Sequence, residues 1–519
     1  MTSGTEIGTQ APTVRTVRAF IGKRRRRSWL DWYFVGFALV IASLYLADAL
    51  ASPLSRLNGT AAHPATQAAA TQAVTGTGLV IGAAAGLLLL AQSLGPLALS
   101  PADASWLLLT PLDRRAVLRR SAMTVTGLAA LGGGFLGVLA LAMAGPYLRP
   151  AGGSLPASWL LLSAVAGAGL CMAAIAAEAL AQPEQGSLAR VCCAAVAVIA
   201  LAAAVAAQYS AGVSHAITAG FGSLSTSAFE TAATIALVLA LLAGALAWRL
   251  LPRFPAGVLR TDSAKAGRAL TAAAFLNFPL LAWIAEDDHW RGRLFPSAPW
   301  PKLPPPLALA WADWRRLRRR PGSLAVLAVS TVVPALAGTA ITGDERGLVI
   351  AAVLAAGGIA AGVPGTTSMK RDLNDPALRR MFALDAAPAL AARAVLPVLL
   401  SMAWLGLALT LLVTGGVLTG WLWPLVGLAA GPGLAAAALR MARTAPIDPA
   451  EPGRDTPMGT IYPWQLTRLL SVILGVAGGY PLLLAVKHGQ VLGKTFTEQI
   501  LFSAVVLGGY LMTAARQPP

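Results

Sequence analysis

The residues that come closest to a chemical motif in this chain would handle phosphate. Gly489-Gln-Val-Leu-Gly493-Lys494-Thr495 is one residue short of G-x-x-x-x-G-K-[ST], a loop whose backbone amides must wrap an anion. No strand pattern precedes it, so ATP hydrolysis by this chain is not expected. The four histidines, His63, His215, His289 and His488, are scattered, and no H-E-x-x-H pairs two of them for zinc. Cys171, Cys192 and Cys193 lie inside apolar runs and read as small core residues. A proton-driven carrier needs ionisable groups at mid-membrane, where burial shifts their pKa. Here Asp31, Asp48, Glu178 and Glu230 fall near the ends of apolar runs, whose centres are Ala, Leu, Val and Gly. Asp344-Glu345 reads as a solvated turn rather than the acidic pair of a lipid-linked glycosyltransferase. No catalytic residue, metal site or cofactor is expected.

What remains is basic and amphipathic. Residues 99–121 read LSPADASWLLLTPLDRRAVLRRS. Pro101 and Asp103 open the stretch, Trp106-Leu107-Leu108-Leu109 follows, Pro111 breaks it, and Asp113, Arg114, Arg115, Arg119 and Arg120 close it. A polar loop needs no such apolar patch. A helix lying on a membrane face, or pressed against a soluble partner, does. Asp375-Pro376-Ala377-Leu378-Arg379-Arg380-Met381-Phe382 is a weaker counterpart. Two further clusters join Trp to Arg: Lys23 to Trp32, with Trp29, and Trp311 to Arg320, with Trp314. Each reads either as an anchor on anionic headgroups or as an interfacial elbow helix ahead of a span.

The elements that position these clusters are membrane helices. The chain has 519 residues, 56% hydrophobic and 12% charged, against about a quarter charged in soluble proteins. Solid apolar runs of span length recur throughout, which excludes a β-barrel and predicts an all-α polytopic membrane protein. Twelve spans are expected: 29–50, 76–98, 121–144, 157–181, 188–208 and 229–251, then 322–341, 346–364, 390–414, 420–441, 465–486 and 497–515. A disordered tail (1–19), a first six-helix half (20–251), a linker (252–310) and a second half (311–519) follow from this layout. An even number of spans per half makes the halves parallel repeats. Within the Pro-rich region between the halves, 269–285 reads as an interfacial helix. Small residues such as Gly132-Gly133-Gly134 and Gly357-Gly358 allow close helix approach, although a composition bias explains them equally well.

With both termini cytoplasmic, the outer loops hold Arg56, Arg149, Arg346, Lys487 and Lys494, leaving 35 of the 40 basic residues inside. The net charge of +18 is then a topology signal rather than a sign of nucleic-acid binding. The run after Lys23–Arg27 is longer than a signal-peptide core, so an uncleaved first span is expected.

Ser100-Pro101-Ala102-Asp103, Trp106-Leu-Leu-Leu and Pro111-Leu-Asp113-Arg114-Arg115 resemble the loop between spans two and three of bacterial ABC-2 type permeases. The whole layout is similar to fused two-half, actinobacterial-type exporter subunits of that family. The resemblance implies elbow helices at Trp29, Trp32, Trp311 and Trp314. It also implies ATPase-coupling contacts at Pro101, Asp103, Trp106, Leu107, Leu108, Pro111, Asp113, Arg114 and Arg115, and at Asp375, Pro376, Leu378, Arg379, Arg380, Met381 and Phe382. The second segment lacks the Pro-x-Asp-Arg of the first. The implied partners are the bilayer, two copies of an ABC ATPase subunit and a hydrophobic or amphipathic substrate, at the plasma membrane. Asp113-Arg114-Arg115 is also similar to a loop of major facilitator carriers, without that family's flanking glycines. A self-contained secondary carrier and a non-transporting membrane scaffold are the alternatives.

Overall fold

A computed structural model describes residues 67–94, 97, 99, 101–106, 113–148, 157–181, 187–210, 226–253, 255–274, 301–341, 345–374, 385–443, 454–456, 459–461, 463–491 and 493–516. The expected first span, with Trp29 and Trp32, lies outside them. So do Leu107, Leu108, Pro111 and the segment from Asp375 to Phe382.

The described chain is almost wholly helical. In order come α1 (Gln67–Leu94), α2 (Pro101–Trp106), α3 (Arg114–Leu148), α4 (Ala157–Ala181), α5 (Ser187–Tyr209), α6 (Thr226–Leu250) and α7 (Ala256–Ala274). Then follow α8 (Pro305–Arg318), α9 (Pro321–Ser330), α10 (Val333–Ala340), α11 (Arg346–Gly362), α12 (Thr367–Asn374), α13 (Ala386–Thr414) and α14 (Trp423–Arg443). A small antiparallel hairpin, β1 (Arg454–Thr456) and β2 (Gly459–Ile461), precedes α15 (Pro463–Gly478), α16 (Tyr480–His488) and α17 (Gly493–Arg516).

Among the described residues, eight helices are long and apolar enough to cross a membrane, or nine if the bent pair α15–α16 is one span. Of the twelve expected spans, the first (29–50) lies outside the described residues. α1 is not among the eight, and the apolar part of α5, Ala194–Tyr209, is shorter than a full span. Within the expected linker, α7 begins at Ala256, ahead of the residue 269 at which an interfacial helix was expected.

Contacts divide the chain into two compact units. The first comprises, among described residues, those within 80–197 and 217–267. Its helices α3, α4 and α6 are apolar all round and leave Leu131, Leu161, Leu170, Leu241 and Leu242 exposed, as a lipid-facing surface requires. Gly133 and Gly137 of α3 lie against Gly167 and Ser163 of α4, so closely that a Cβ at either would overlap a carbonyl oxygen. Of the glycine triplet, Gly132 faces open space; Gly133 is fixed by packing, not by composition bias.

The second unit comprises, among described residues, those within 67–79, 198–216 and 268–519. Its centre is α14, where Leu434 to Leu439 are six consecutive residues with no exposed surface. Alanine permits this, because helices can approach a short side chain from every direction. Leu405, Leu409 and Leu412 of α13 and Leu354 of α11 complete that core. Hydrogen bonds tie the flanking pieces in. Gln208 donates to Thr339 Oγ1 at 2.8 Å, and Gln72 to the Ala340 carbonyl at 2.9 Å.

Proline, which lacks an N–H, follows a local interruption in the span Pro321–Ala340 and the bend of the pair α15–α16. Pro334 separates α9 from α10, and Pro481 follows a 67° bend at Gly479. Backbone groups freed inside a bilayer must find partners. At the second break Gln499 supplies them: its Nε2 donates to the Gly478 carbonyl at 2.6 Å, and its Oε1 accepts the Leu482 N–H at 2.9 Å.

Candidate functional site

The stretch around Trp106 is built into the first unit from several directions. Leu97 and Leu99 before α2, Ala104 within it, and Val117 and Leu118 of α3 are all buried. They form one cluster with Ala179 of α4, Leu251 after α6 and Leu259 of α7. α7 carries a buried stripe, Leu259, Ser263, Ala266 and Ala269, spaced four, three and three residues apart, of which Leu259 joins the cluster. Arg260, Thr261 and Ala264 occupy its exposed face. The Leu99 N–H donates to Ser263 Oγ at 3.0 Å, a buried bond between segments far apart in sequence.

Trp106 ends α2 and is 75% exposed. One side of the segment is therefore locked into the cluster, and its largest apolar side chain projects away from it. Asp113 precedes α3 and receives the Arg115 N–H on Oδ1 at 3.2 Å, the geometry of an N-cap. This gives Asp113 a structural role that needs no partner. Arg115 Nη2 donates to the Arg249 carbonyl at the C-terminal end of α6 at 3.3 Å, where a cation complements the helix dipole. Arg119 and Arg120 are exposed on the next turn, and Arg114 is half-buried. Pro101 and Asp103 lie in the first turn of α2.

The second unit carries a cluster that local sequence patterns miss. α8 opens on a proline run suited to a first turn and ends at Arg319–Arg320, because Pro321 disfavours helix at the residue before it. Trp311 and Trp314 are exposed, while Leu309, Asp313 and Leu317 form the buried stripe. Leu317 packs on Leu396 and Leu400 of α13. Asp313 meets Arg393 of α13 in a buried ion pair. Arg393 also grips Asp372 of α12, through Nε at 2.9 Å and Nη2 at 3.1 Å. Arg316 Nη1 donates to Ser368 Oγ at 2.8 Å. Burial pushes the Asp313 carboxyl above the ordinary range, against the pull of Arg393, Ser368 and Arg316, and Asp372 adds to the rise. A cavity of about 10 Å³ lies beside it, lined by Asp313, Arg316, Arg320, Thr367 and Ser368 among others. The available signal was Arg393 itself, a lone cation inside an apolar run.

Among the described residues no group of His, Cys, Asp and Glu could hold a metal ion. The sequence model of a family of unknown function (DUF6297) matches residues 68–452, which include both clusters. No curated protein matches the chain, and no solved structure does.

Proposed function

The chain belongs to the DUF6297 family, and we propose that it is the transmembrane permease subunit of an ABC-type exporter. In this reading a separate ATPase subunit hydrolyses ATP, and the helices move a hydrophobic or amphipathic substrate out across the plasma membrane. The observation that carries it is Trp106, exposed on a segment whose opposite side is fixed in a buried cluster. An exposed apolar anchor on a segment tied into a buried cluster, with exposed arginines at the start of the next helix, suits a groove on a soluble partner, with the charges setting register. Because α2 joins that cluster along with α3, α4 and α7, force applied at Trp106 passes to several helices at once.

The same reading makes α8 the elbow helix of the second half and the segment from Asp375 to Phe382 a second handle, giving two ATPase copies per chain. It counts the helices α1 and α5 and the run 29–50 as spans, for twelve in two parallel halves with cytoplasmic termini. Purifying the native complex and identifying its soluble subunits tests it: an ABC ATPase is expected.

The buried Asp313–Arg393–Asp372 group supports a second reading, a self-contained secondary carrier, because ion-coupled carriers need ionisable groups enclosed by the helices. Transport by the purified chain without any ATPase would establish that instead.

A further inference from the structure

α8 presents two faces of different chemistry. Its buried stripe is settled within the second unit: Leu317 packs on Leu396 and Leu400, and Asp313 is paired with Arg393. The other face reads Leu307, Trp311, Trp314, Arg315 and Arg318, spaced as i, i+4, i+7, i+8 and i+11 along one side of a helix. Leu307 is 55% exposed, and Trp311 and Trp314 are 38% and 37% exposed. Arg318 is exposed as well, and Arg315 and Arg319 are half-buried.

Charge on this helix is one-sided. Residues 315–320 hold five arginines, and the single acid of α8, Asp313, is committed to the buried ion pair. Arg316 and Arg320 line the cavity beside that carboxyl. Arg318 and Arg319 follow Arg315 at i+3 and i+4, so these three form one patch. What comes next fixes the level of the patch. Pro321 opens the stretch Pro321–Ala340, which is long and apolar enough to cross a membrane. Guanidinium groups stop where hydrocarbon begins, because a charge in the bilayer core is costly. Tryptophan concentrates at the same boundary, its ring in the apolar layer and its N–H toward water.

We propose that α8 is a binding surface for the headgroups of anionic phospholipids. Arg315, Arg318 and Arg319 take the phosphates, and Leu307, Trp311 and Trp314 lie against the acyl chains beside them. Arginine suits this role because its planar fork of N–H donors pairs with two phosphate oxygens at once. The contacts of Asp313 and Leu317 hold the helix in register, so the patch is presented from a fixed place in the second unit. A soluble acidic partner would use the arginines but would leave the tryptophans at the entry of the span uncovered. The proposal deepens the reading of α8 as an elbow helix and rests on that part of it alone. Recovery or loss of an ATPase leaves it unchanged.

Thermal unfolding of the delipidated full-length protein in detergent tests it, with phosphatidylglycerol, phosphatidylcholine or inorganic phosphate added. The expected result is a midpoint raised by phosphatidylglycerol and little moved by the other two. The combined variant Arg315→Gln, Arg318→Gln and Arg319→Gln should lose most of that rise while keeping the lipid-free midpoint near wild type. Changing three exposed arginines of the first unit, Arg119→Gln, Arg120→Gln and Arg260→Gln, should leave the rise intact. No rise with phosphatidylglycerol, or an equal one with phosphatidylcholine or inorganic phosphate, overturns the proposal. So does a full rise in the α8 variant, or an equal loss in the first-unit variant. Should the triple α8 variant fail to fold, Arg318→Glu decides alone: the side chain is exposed, and the rise must still shrink.

Discussion

Leu99 and Ser263, 164 residues apart in sequence, are joined by a buried hydrogen bond of 3.0 Å from the Leu99 N–H to the Ser263 hydroxyl. The bond fixes the start of the Trp106 segment to α7, and Leu259 on the same stripe packs into the same cluster. Replacing Ser263 with Ala leaves a buried N–H without an acceptor, which costs about 1–3 kcal/mol. A Ser263→Ala chain should unfold at a lower temperature, and Ser263→Thr, which retains the hydroxyl, should recover part of the loss.

Asp113 separates capping from partner contact. As an N-cap of α3 it is worth about 1 kcal/mol, and Asn caps as well as Asp. Asp113→Ala should therefore lower thermal stability while Asp113→Asn should not. If Asp113→Asn instead weakens association with a soluble subunit, its charge has a role at the interface beyond the cap.

Neighbouring glycines should respond in opposite ways. Gly137→Ala drives a methyl into the Ser163 carbonyl and pushes α3 away from α4, an overpacking cost of about 1–3 kcal/mol. Gly132→Ala meets open space and should leave the melting temperature unchanged. Thermal unfolding of the two variants side by side checks this.

Removing Arg393 strips both carboxylates of their shared partner. Arg393→Leu should cost about 3–5 kcal/mol, because it leaves the buried Asp313 carboxylate without its nearest cation. Combining it with Asp372→Asn should restore part of that loss, because one surplus charge is removed. An additive double variant would show that the two residues do not interact.

Much of the fold was legible because bilayer solvation writes itself into long apolar runs. Eleven of the twelve expected spans fall on described helices, and nine of these are long and apolar enough to cross a membrane when the bent pair α15–α16 counts as one. The breaks were marked by Pro334 and Pro481, yet periodicity cannot say whether a proline bends a span or is absorbed by it. α7 escaped notice because Gly257, Thr261, Ser263 and its charges dilute the apolar signal, leaving a stripe that only its packing reveals. The Trp106 segment was visible as amphipathic, but its buried side depends on Leu251, Leu259 and Ser263, all remote in sequence. Asp313, Asp372 and Arg393 carry no local pattern; only the fold brings them together.

The central claim is that Trp106 is a handle for a soluble motor. The most direct measurement is quantitative co-purification of ATPase subunits with full-length wild-type and Trp106→Ala chains, with the thermal unfolding of each recorded in parallel. The prediction is an ABC ATPase bound to wild type, lost or greatly reduced in Trp106→Ala, with unchanged unfolding because an exposed side chain adds little to stability. Equal recovery of the ATPase with both chains, or no ATPase with wild type, would contradict it.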